Sequence, residues 1–218
     1  MKRGHWQILL AAVLFLLALG LTLYPVVSNW YIGRHQSRIQ TEYREVLEQT
    51  DSAEIESIRK RAVAYNKTIT PGAAEEAYSQ KSIRLAAEDY VNRLNVSGSG
   101  IMGYVEIPKI GVDLPIYHGT GADSLDRGTG HLLGSSLPVG GESSHTIITG
   151  HSGMASQKMF TDLEKLRERD IFYLHVLDET LAYEVREIHT VLPHDTTYLG
   201  IEPGEDLCTL VTCTPTGV

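Results

Sequence analysis

The pattern of apolar and polar positions divides the chain into three parts. Residues 8–27 form a near-continuous apolar run without a charged side chain, and its 20 residues at helical rise match a bilayer core of about 30 Å. Residues 28–100 carry apolar positions three and four apart, the spacing of amphipathic helices. From residue 101 onward, short runs alternate apolar and polar residues between clusters of glycine and proline, which predicts β-strands.

The amino-terminal run is predicted to be a single-pass membrane anchor. Lys2 and Arg3 stand in residues 1–7 without an acidic residue, which favours a cytoplasmic position for this segment. Arginines also follow the run, at positions 34, 38 and 44, so charge alone leaves the orientation open. The alternative is a cleaved signal peptide with a cleavage site at Ala18–Gly20, although the apolar run continues seven residues past that site.

Residues 28–100 are predicted to be a helical extension that ends in a linker. Asp51 and Glu54 fit a capping box at the start of one helix, and Thr70–Pro71 fits the start of the next. Ser97–Gly100 is a flexible joint before the strands. Apolar stripes, which we expect to pack on the domain or on each other, comprise Ile39, Tyr43 and Leu47, then Ile55, Ile58, Ala62, Tyr65 and Ile69, and then Ile83, Ala87, Tyr90 and Leu94.

Residues 101–218 are predicted to be mainly β and to form a closed or nearly closed β-barrel. Many short strands separated by turn residues are typical of this architecture. One helical insertion is expected near Met159–Leu166. The runs with the strand pattern are Ile101–Ile107, Val112–Tyr117, Thr146–Thr149, Ile171–Val176, Leu181–Leu192 and Leu207–Cys213.

Cys213 is the candidate nucleophile. It ends the last predicted strand just before Pro215, which cannot continue a sheet ladder. The other cysteine, Cys208, is five positions earlier. At strand rise the two Cα atoms would be roughly 16 Å apart, beyond the limit of about 7 Å for a disulfide. We therefore expect Cys213 to be a free thiol and Cys208 to be a buried apolar filler, while spacing alone also allows Cys213 to be a buried structural cysteine.

His151 is the candidate acid and base. The apolar run Thr146–Thr149 ends in Gly150-His151-Ser152-Gly153, and the glycines allow a sharp turn that opens the imidazole to a cleft. A cysteine and a histidine at two strand ends, far apart in sequence, are typical of a Cys–His pair assembled in space. The alternative is an ordinary loop histidine, since the chain has nine histidines.

Composition and residue order argue against other classes of function. The net charge is −8 and there is no basic cluster, so a nucleic-acid partner is not expected. His145 and His151 are accompanied by no CxxC pair, so neither a zinc site nor another cofactor is expected. A papain-like peptidase is also disfavoured, because such enzymes place the cysteine before the histidine and on a helix.

Several ordered motifs resemble the sortase family. These are the strand TLVTC at Thr209–Cys213, the element ITGH at Ile148–His151, and GYVEIPKIGVDLPIYHGT at Gly103–Thr120. The TCTP continuation, the stretch GTGHLLGSSLPVGG at Gly128–Gly141 and the helical region before the barrel are similar to the class C, pilus-assembling sortases. The resemblance is strong over roughly residues 100–218 and extends to the earlier region in pattern only.

The resemblance implies a cysteine transpeptidase. Cys213 would be the acyl-thioester nucleophile, and His151 would donate and accept protons. The implied substrate is a pilin sorting signal of the LPxTG type, cleaved between Thr and Gly, with transfer of the acyl group to a lysine amine of another pilin. The implied partners are pilin subunits and the membrane, with the catalytic domain on the extracellular face of a Gram-positive cell.

Two family features are not found. Class C sortases carry an arginine on the strand after the cysteine strand, but the sequence ends at Val218, five residues past Cys213, so that strand and arginine are expected to be missing. Either the sequence is truncated, or the protein is a degenerate copy that binds sorting signals or assembly partners without turnover. Thr216 also stands where the family usually has an aromatic residue, and no motif assigns the missing role to Arg127, Arg167, Arg169 or Arg186.

The second feature is the lid of class C sortases, in which an Asp-Pro-aromatic motif covers the cysteine. The one proline between Val26 and Pro108 is Pro71, which follows Thr70 and precedes Gly72. We therefore expect either no such plug or a different one.

Overall fold

The computed structural model describes residues 2–70, 72–74, 87–154 and 157–214. The helices in this part are α1 (Lys2–Gln49), α2 (Ser52–Asn66), α3 (Ala87–Val91) and α4 (Ala122–Leu125). The strands are β1 (Ile101–Ile107), β2 (Val112–His118), β3 (Thr129–His131), β4 (Ser144–Thr149), β5 (Ile171–Val176), β6 (Glu179–Glu184) and β7 (Asp206–Val211). Short 3-10 turns lie at Pro108–Ile110 and Leu163–Lys165.

The strands form one seven-stranded sheet in the order β6-β5-β1-β2-β3-β4-β7. Most neighbours are antiparallel, whereas β2 pairs with β3 and β4 pairs with β7 in parallel. The sheet curls so that its two edge strands come together. Where they meet, Tyr183 Oη of β6 donates a hydrogen bond to Asp206 Oδ1 of β7 at 2.9 Å. The predicted fold class, a mainly β and nearly closed barrel, is confirmed.

The barrel interior is filled by the apolar positions that alternate along the strands. In β5, Phe172, Leu174 and Val176 are buried, while the residues between them are more exposed. This is the period of two that a half-buried strand requires. Strand β1 is buried on both faces, because α1 covers its outer side: Tyr43 of α1 packs against Tyr104 of β1.

Helix α1 joins a candidate membrane span to the barrel in one continuous element. Its segment His5–Tyr24 has 20 residues, a mean hydropathy of 2.3 and no buried residue, so it is long and apolar enough to cross a membrane. The other end docks on the barrel, where Tyr43 Oη donates to the Met102 carbonyl at 3.1 Å and accepts the amide of Leu177 at 3.1 Å. The predicted stripe through Tyr43 therefore packs on the barrel.

Helix α2 begins at the predicted cap and packs its stripe on the barrel core. The Asp51 carboxylate accepts a hydrogen bond from the Ala53 amide at 2.7 Å. The helix ends at Asn66, whose side-chain amide bonds both the carbonyl and the amide of Leu137, at 3.0 and 2.7 Å. Of the predicted stripe, Ile55 and Ala62 are buried and Ile58 and Tyr65 are partly buried against the core, while Ile69 lies past the end of the helix.

The next predicted helix lies mostly outside the described residues, which leave out Pro71 and 75–86. Its carboxyl-terminal end is α3, and Tyr90 and Leu94 of the predicted stripe are buried. The helical region before the barrel therefore contributes buried side chains to the core.

Several sequence predictions differ from the structure. The strand predicted at Leu207–Cys213 is observed at Asp206–Val211, so Cys213 lies two residues past the strand end. The strand predicted at Leu181–Leu192 is wrong at both ends: β6 runs from Glu179 to Glu184 opposite β5. One further residue, Val185, exchanges backbone hydrogen bonds with Arg169 and Asp170 before the segment leaves the sheet. Strand β3 was not expected, since it is three residues long and contains a glycine. The helical insertion near Met159–Leu166 is only a 3-10 turn.

Candidate active site

The candidate site lies where β4 and β7 end side by side. The two strands are parallel neighbours, with Thr149 in register with Val211. The ladder continues one step further, because the Gly150 amide donates to the Val211 carbonyl at 3.0 Å. Thr212 Oγ1 then donates to the Gly150 carbonyl at 2.8 Å. These bonds keep the two segments paired as far as Gly150 and Thr212. The residues that follow, one on each segment, therefore leave the sheet side by side.

Those next residues are His151 and Cys213. Ser152 Oγ donates to the carbonyl of Cys213 at 2.6 Å, which holds the two segments together past the strand ends. Adjacent strands are about 4.8 Å apart, so the backbones that carry the imidazole and the thiol are neighbours. Cys213 is exposed, and the His151 side chain is 39% exposed. The structure thus places both predicted site residues at one end of the barrel and open to solvent.

The backbone of His151 is held from the core side. Its carbonyl accepts a hydrogen bond from the amide of Phe160 at 2.9 Å, and Phe160 is fully buried. The glycine before the histidine is required by this contact, since a Cβ atom on Gly150 would lie 2.7 Å from Cδ2 of the Phe160 ring. The glycine at position 150 is therefore needed for packing against Phe160 as well as for the conformation of the predicted turn.

Asp126 is a neighbour of the site that the sequence did not reveal. Its Oδ1 lies 3.8 Å from Nε2 of His151. Asp126 caps the carboxyl-terminal end of α4, 25 positions before the histidine. No local pattern marks it, and only the fold brings the two segments together.

Cys208 has the environment of an inert thiol. It packs with the apolar core residues, and both cysteines are free. Burial, with a smaller contribution from the Asp206 carboxylate, raises the pKa of the Cys208 thiol. Because the thiolate is the reactive form of cysteine, the raised pKa disfavours nucleophilic chemistry at Cys208.

Three of the four arginines named in the sequence analysis are engaged with other groups. Arg186 pairs with Glu202 at 2.8 Å. The guanidinium of Arg167 donates to two backbone carbonyls, and that of Arg127 lies 4.3 Å from the ring centroid of Tyr117. Thr216 lies outside the described residues, and so does Pro71, on which the expectation about a plug over the cysteine rested.

Metal chemistry has no support in the described ranges. Within 2–70, 72–74, 87–154 and 157–214, no group of three or more His, Cys, Asp or Glu side chains is placed to hold an ion. The chemistry available at the strand ends is that of a thiol and an imidazole.

A nearly closed β-barrel with an exposed cysteine and a histidine at the ends of two parallel strands has the architecture of a cysteine acyltransferase of the sortase type. The chain belongs to the sortase family: the family model described as the sortase domain matches residues 105–218. The family predicted from the sequence motifs is confirmed.

Solved structures similar to this chain include class C sortases. Sortase C of Streptococcus pneumoniae is 40% identical, with a TM-score of 0.70 over 82% of this chain and 88% of that one. Sortase C1 of Streptococcus agalactiae is also 40% identical, with a TM-score of 0.73 over 83% of this chain and 92% of that one.

Curated relatives are more distant in sequence. Sortase A of Streptococcus agalactiae serotype III is 25% identical over 209 residues, which cover 94% of this chain and 77% of that protein. Sortase D of Bacillus subtilis is 31% identical over 113 residues, covering 52% of this chain and 54% of that protein.

Proposed function

We propose that the protein is a membrane-anchored cysteine transpeptidase. It cleaves an LPxTG-like sorting signal of one pilin and joins the resulting acyl group to a lysine amine of another pilin. The observation that carries the proposal is the placement of His151 and Cys213 at the paired ends of β4 and β7. The class of substrate is supported by two relatives: the structure of the Streptococcus pneumoniae sortase C bears on pilin substrate specificity, and the sortase C of group B Streptococcus is pilus-related.

The first half of the reaction makes a thioester. The Cys213 thiolate attacks the carbonyl carbon of the signal's threonine, and the bond from that carbon to the glycine nitrogen breaks. The departing amine takes a proton from the His151 imidazolium. The products of this half are an acyl-thioester on Cys213, a neutral imidazole and a peptide with a new amino terminus.

The second half transfers the acyl group. A lysine amine of the next pilin attacks the thioester carbon and gives a proton to the His151 imidazole. The carbon–sulfur bond breaks, which restores the thiolate and the imidazolium and leaves an isopeptide bond. The same two side chains therefore serve both halves, and no external proton or redox partner is needed.

The proposed membrane arrangement follows from α1. The apolar segment within residues 8–27 would span the membrane once, with residues 1–7 in the cytoplasm. Residues 28–100 would form the extension and linker, and residues 101–218 the catalytic barrel on the extracellular face. A sortase acting at the cell surface needs its thiol on that side, where the sorting signal is presented.

The proposal is tested by trapping the thioester. The full chain in detergent is mixed with an LPxTG-containing peptide, and its intact mass is measured by mass spectrometry. The wild-type protein and Cys208→Ala should gain the acyl mass, while Cys213→Ala should gain none. An adduct that persists in Cys213→Ala would refute the assignment of the nucleophile.

The same experiment separates the second candidate, a non-catalytic protein that binds sorting signals or pilus-assembly partners. Peptide binding, measured by fluorescence anisotropy, would then be retained by the wild-type chain without any acyl mass. His151→Ala should lose the adduct but keep binding if the proposed proton transfers are correct.

A further inference from the structure

Helix α1 runs along the barrel in the direction opposite to β1. Gln40 Nε2 donates to Asp113 Oδ1 at 2.7 Å, and Asp113 is paired in the sheet with Glu106, near the end of β1. Three residues further along α1, Tyr43 Oη donates to the carbonyl of Met102, near the start of β1. Followed back toward its amino terminus, α1 therefore leaves the barrel at the end where β1 finishes.

The candidate site lies at this same end of the barrel. Strand β1 is antiparallel to β2, β2 is parallel to β3, β3 is antiparallel to β4, and β4 is parallel to β7. Strands β1, β4 and β7 therefore run in one direction, and the common tilt of barrel strands keeps that direction along the barrel axis. His151 and Cys213 follow the ends of β4 and β7, at what we call the site end of the barrel.

The docking of α1 fixes its direction relative to the barrel. Tyr43 and Gln40 are both buried in this contact. Tyr43 Oη also accepts the amide of Leu177, which precedes β6, at 3.1 Å. Arg44 Nε donates to Tyr104 Oη of β1 at 2.6 Å. Polar and apolar contacts to three strands or their turns thus hold one face of α1.

The candidate membrane span lies beyond the site end on the same helix. From Val27, the end of the apolar run, to Gln40 there are 13 residues, or about 20 Å at helical rise. Helix α1 is continuous over this interval. A proline inside a helix, such as Pro25, kinks the helix without reversing its direction. The barrel is therefore joined to the span with the site end toward it.

We propose that the site end of the barrel faces the membrane and takes its sorting signal from a peptide that is anchored in the same membrane. This inference rests on the proposed function and on the proposed membrane span. Six extended residues cover about 20 Å, so a short segment between the anchor and the signal is enough to reach Cys213. A site at the opposite end would require a segment long enough to pass the whole barrel as well.

The orientation is tested by energy transfer from a dye on the barrel to headgroup-labelled lipid, with the full chain in lipid nanodiscs. The donor dye is attached to Cys213 in Cys208→Ala. The matched control carries the dye just before the start of β7, in Glu205→Cys combined with Cys208→Ala and Cys213→Ala, because Glu205 is exposed. The two positions are eight residues apart on one strand, which is about 26 Å at strand rise and about 20 Å along the axis of a tilted barrel.

The dye at Cys213 should lie about 20 Å closer to the headgroups than the dye at position 205 and should transfer energy more efficiently. Equal transfer from the two positions, or greater transfer from position 205, would overturn the inference. This measurement does not depend on turnover.

The presentation of the substrate is tested with lipid-anchored peptides. An LPxTG-containing peptide is linked to a lipid by a tether of about six residues or of about thirty, which reach about 20 and 100 Å when extended. Each is added to vesicles that carry the full chain, and the acyl adduct is measured by intact mass, with Cys213→Ala as the blank. The short tether should give the adduct at least as fast as the long one.

Failure of this inference and failure of the proposed function give different results. An adduct with the soluble and the long-tethered peptide, but none with the short-tethered one, would refute the membrane-facing site and leave the transpeptidase proposal standing. If the dye at Cys213 is the closer one but no peptide gives an adduct, the orientation is correct and the proposed reaction is refuted.

Discussion

Gly150 lies directly against the ring of Phe160, so the residue before the candidate histidine has no room for a side chain. An added Cβ would be 2.7 Å from Cδ2 and 2.9 Å from Cγ of the ring. Phe160 is fully buried and cannot swing away without leaving the core. The same phenylalanine also bonds the His151 carbonyl through its amide, so one core residue fixes both the glycine and the histidine.

Gly150→Ala should therefore disturb stability and site together. Forcing a methyl group into a packed contact typically costs about 1–3 kcal/mol. We expect that loss in the free energy of unfolding, measured by urea denaturation. We also expect slower alkylation of Cys213 by iodoacetamide, because a displaced Gly150 loses its bond to Val211 and moves His151 away from the thiol.

Gly121→Ala is the control for this substitution. Gly121 has a φ of −75°, which any residue can adopt, and an added Cβ would meet nothing within 4 Å. Its effect on stability should stay within about 0.5 kcal/mol, as is usual for surface changes. If Gly150→Ala were equally harmless, the contact with Phe160 would not be what requires a glycine there.

The two cysteines should differ in reactivity. In the single-cysteine variants Cys208→Ala and Cys213→Ala, the remaining thiol is alkylated with iodoacetamide at about pH 7 and followed by intact mass. Cys213 should react at least about tenfold faster than Cys208, because only the thiolate reacts and each unit of pKa changes its fraction tenfold. Burial raises the pKa of Cys208, whereas Cys213 is exposed.

Comparable rates in the folded protein would contradict this prediction. The control is the same comparison in about 8 M urea, a concentration at which small domains are commonly unfolded. There the environment of each thiol is lost, and the two rates should converge. A difference that survived unfolding would be a property of the neighbouring sequence and not of the fold.

How far the sequence could predict this site depends on the kind of signal that each residue leaves. Cys213 and His151 stand at the ends of apolar β-branched runs, and so periodicity and turn chemistry are enough to mark them as candidates. Asp126 leaves no such signal. It lies beside His151 through tertiary structure, in which the Gln157 side chain joins the two loops by a hydrogen bond to the Asp126 carbonyl.

The secondary structure also contains both features that the sequence could predict and features that it could not. The stripe of α2 was predictable because a helix face reads directly from spacing, and Ile55 and Ala62 are buried as expected. The end of β6 was not, because the alternating pattern continues well past Glu184, while the backbone pairing with the segment of β5 ends at Val185. The length of a strand depends on how many backbone groups its neighbour can pair with, and this is a property of the tertiary structure.

A buried histidine in β3 makes the stability of the barrel depend on pH. His131 is fully buried; its Nε2–H donates to the Ser136 carbonyl at 2.8 Å, and its Nδ1 accepts from Tyr90 Oη at 2.9 Å. This arrangement suits the neutral ring, which has one donor and one acceptor. Burial lowers the pKa of His131 to about 4 from its usual 6.5. The unfolded chain therefore binds this proton at a higher pH than the folded protein does.

Because the pKa of His131 is lower in the folded protein than in the unfolded chain, acidification destabilises the folded protein. Above pH 6.5 both states carry a neutral ring, and as the pH falls toward 4 only the unfolded state is protonated, so stability is lost across this interval. We expect a loss of about 2 kcal/mol from His131 between about pH 7 and pH 5, measured by urea denaturation.

The comparison variant is His131→Gln, whose amide can also donate and accept but does not titrate. It should be less stable than wild type near neutral pH, yet lose less stability on acidification. Other groups titrate in both proteins and cancel in the comparison. Parallel pH profiles for the two proteins would show that His131 does not cause the acid sensitivity.

Arg59 links the helical extension to the barrel. It lies on α2, and its guanidinium pairs with Glu56 of the same helix at 3.2 Å and with Glu179 of β6 at 3.1 Å. It also pairs with Asp178 in the turn between β5 and β6. Its side chain is only 20% exposed, so these pairs are less screened than ordinary surface pairs.

Arg59→Gln should loosen this link. We expect a loss of about 1 kcal/mol in the free energy of unfolding, more at low salt than at high salt, because several pairs share one partly buried cation. Arg38→Gln is the control, since among the described residues Arg38 pairs with Glu42 of its own helix and its side chain is 78% exposed. That change should cost at most a few tenths of a kcal/mol, as exposed helix pairs do. If both variants lost the same small amount at every salt concentration, Arg59 would be an ordinary surface residue and the extension would be held by its apolar stripe alone.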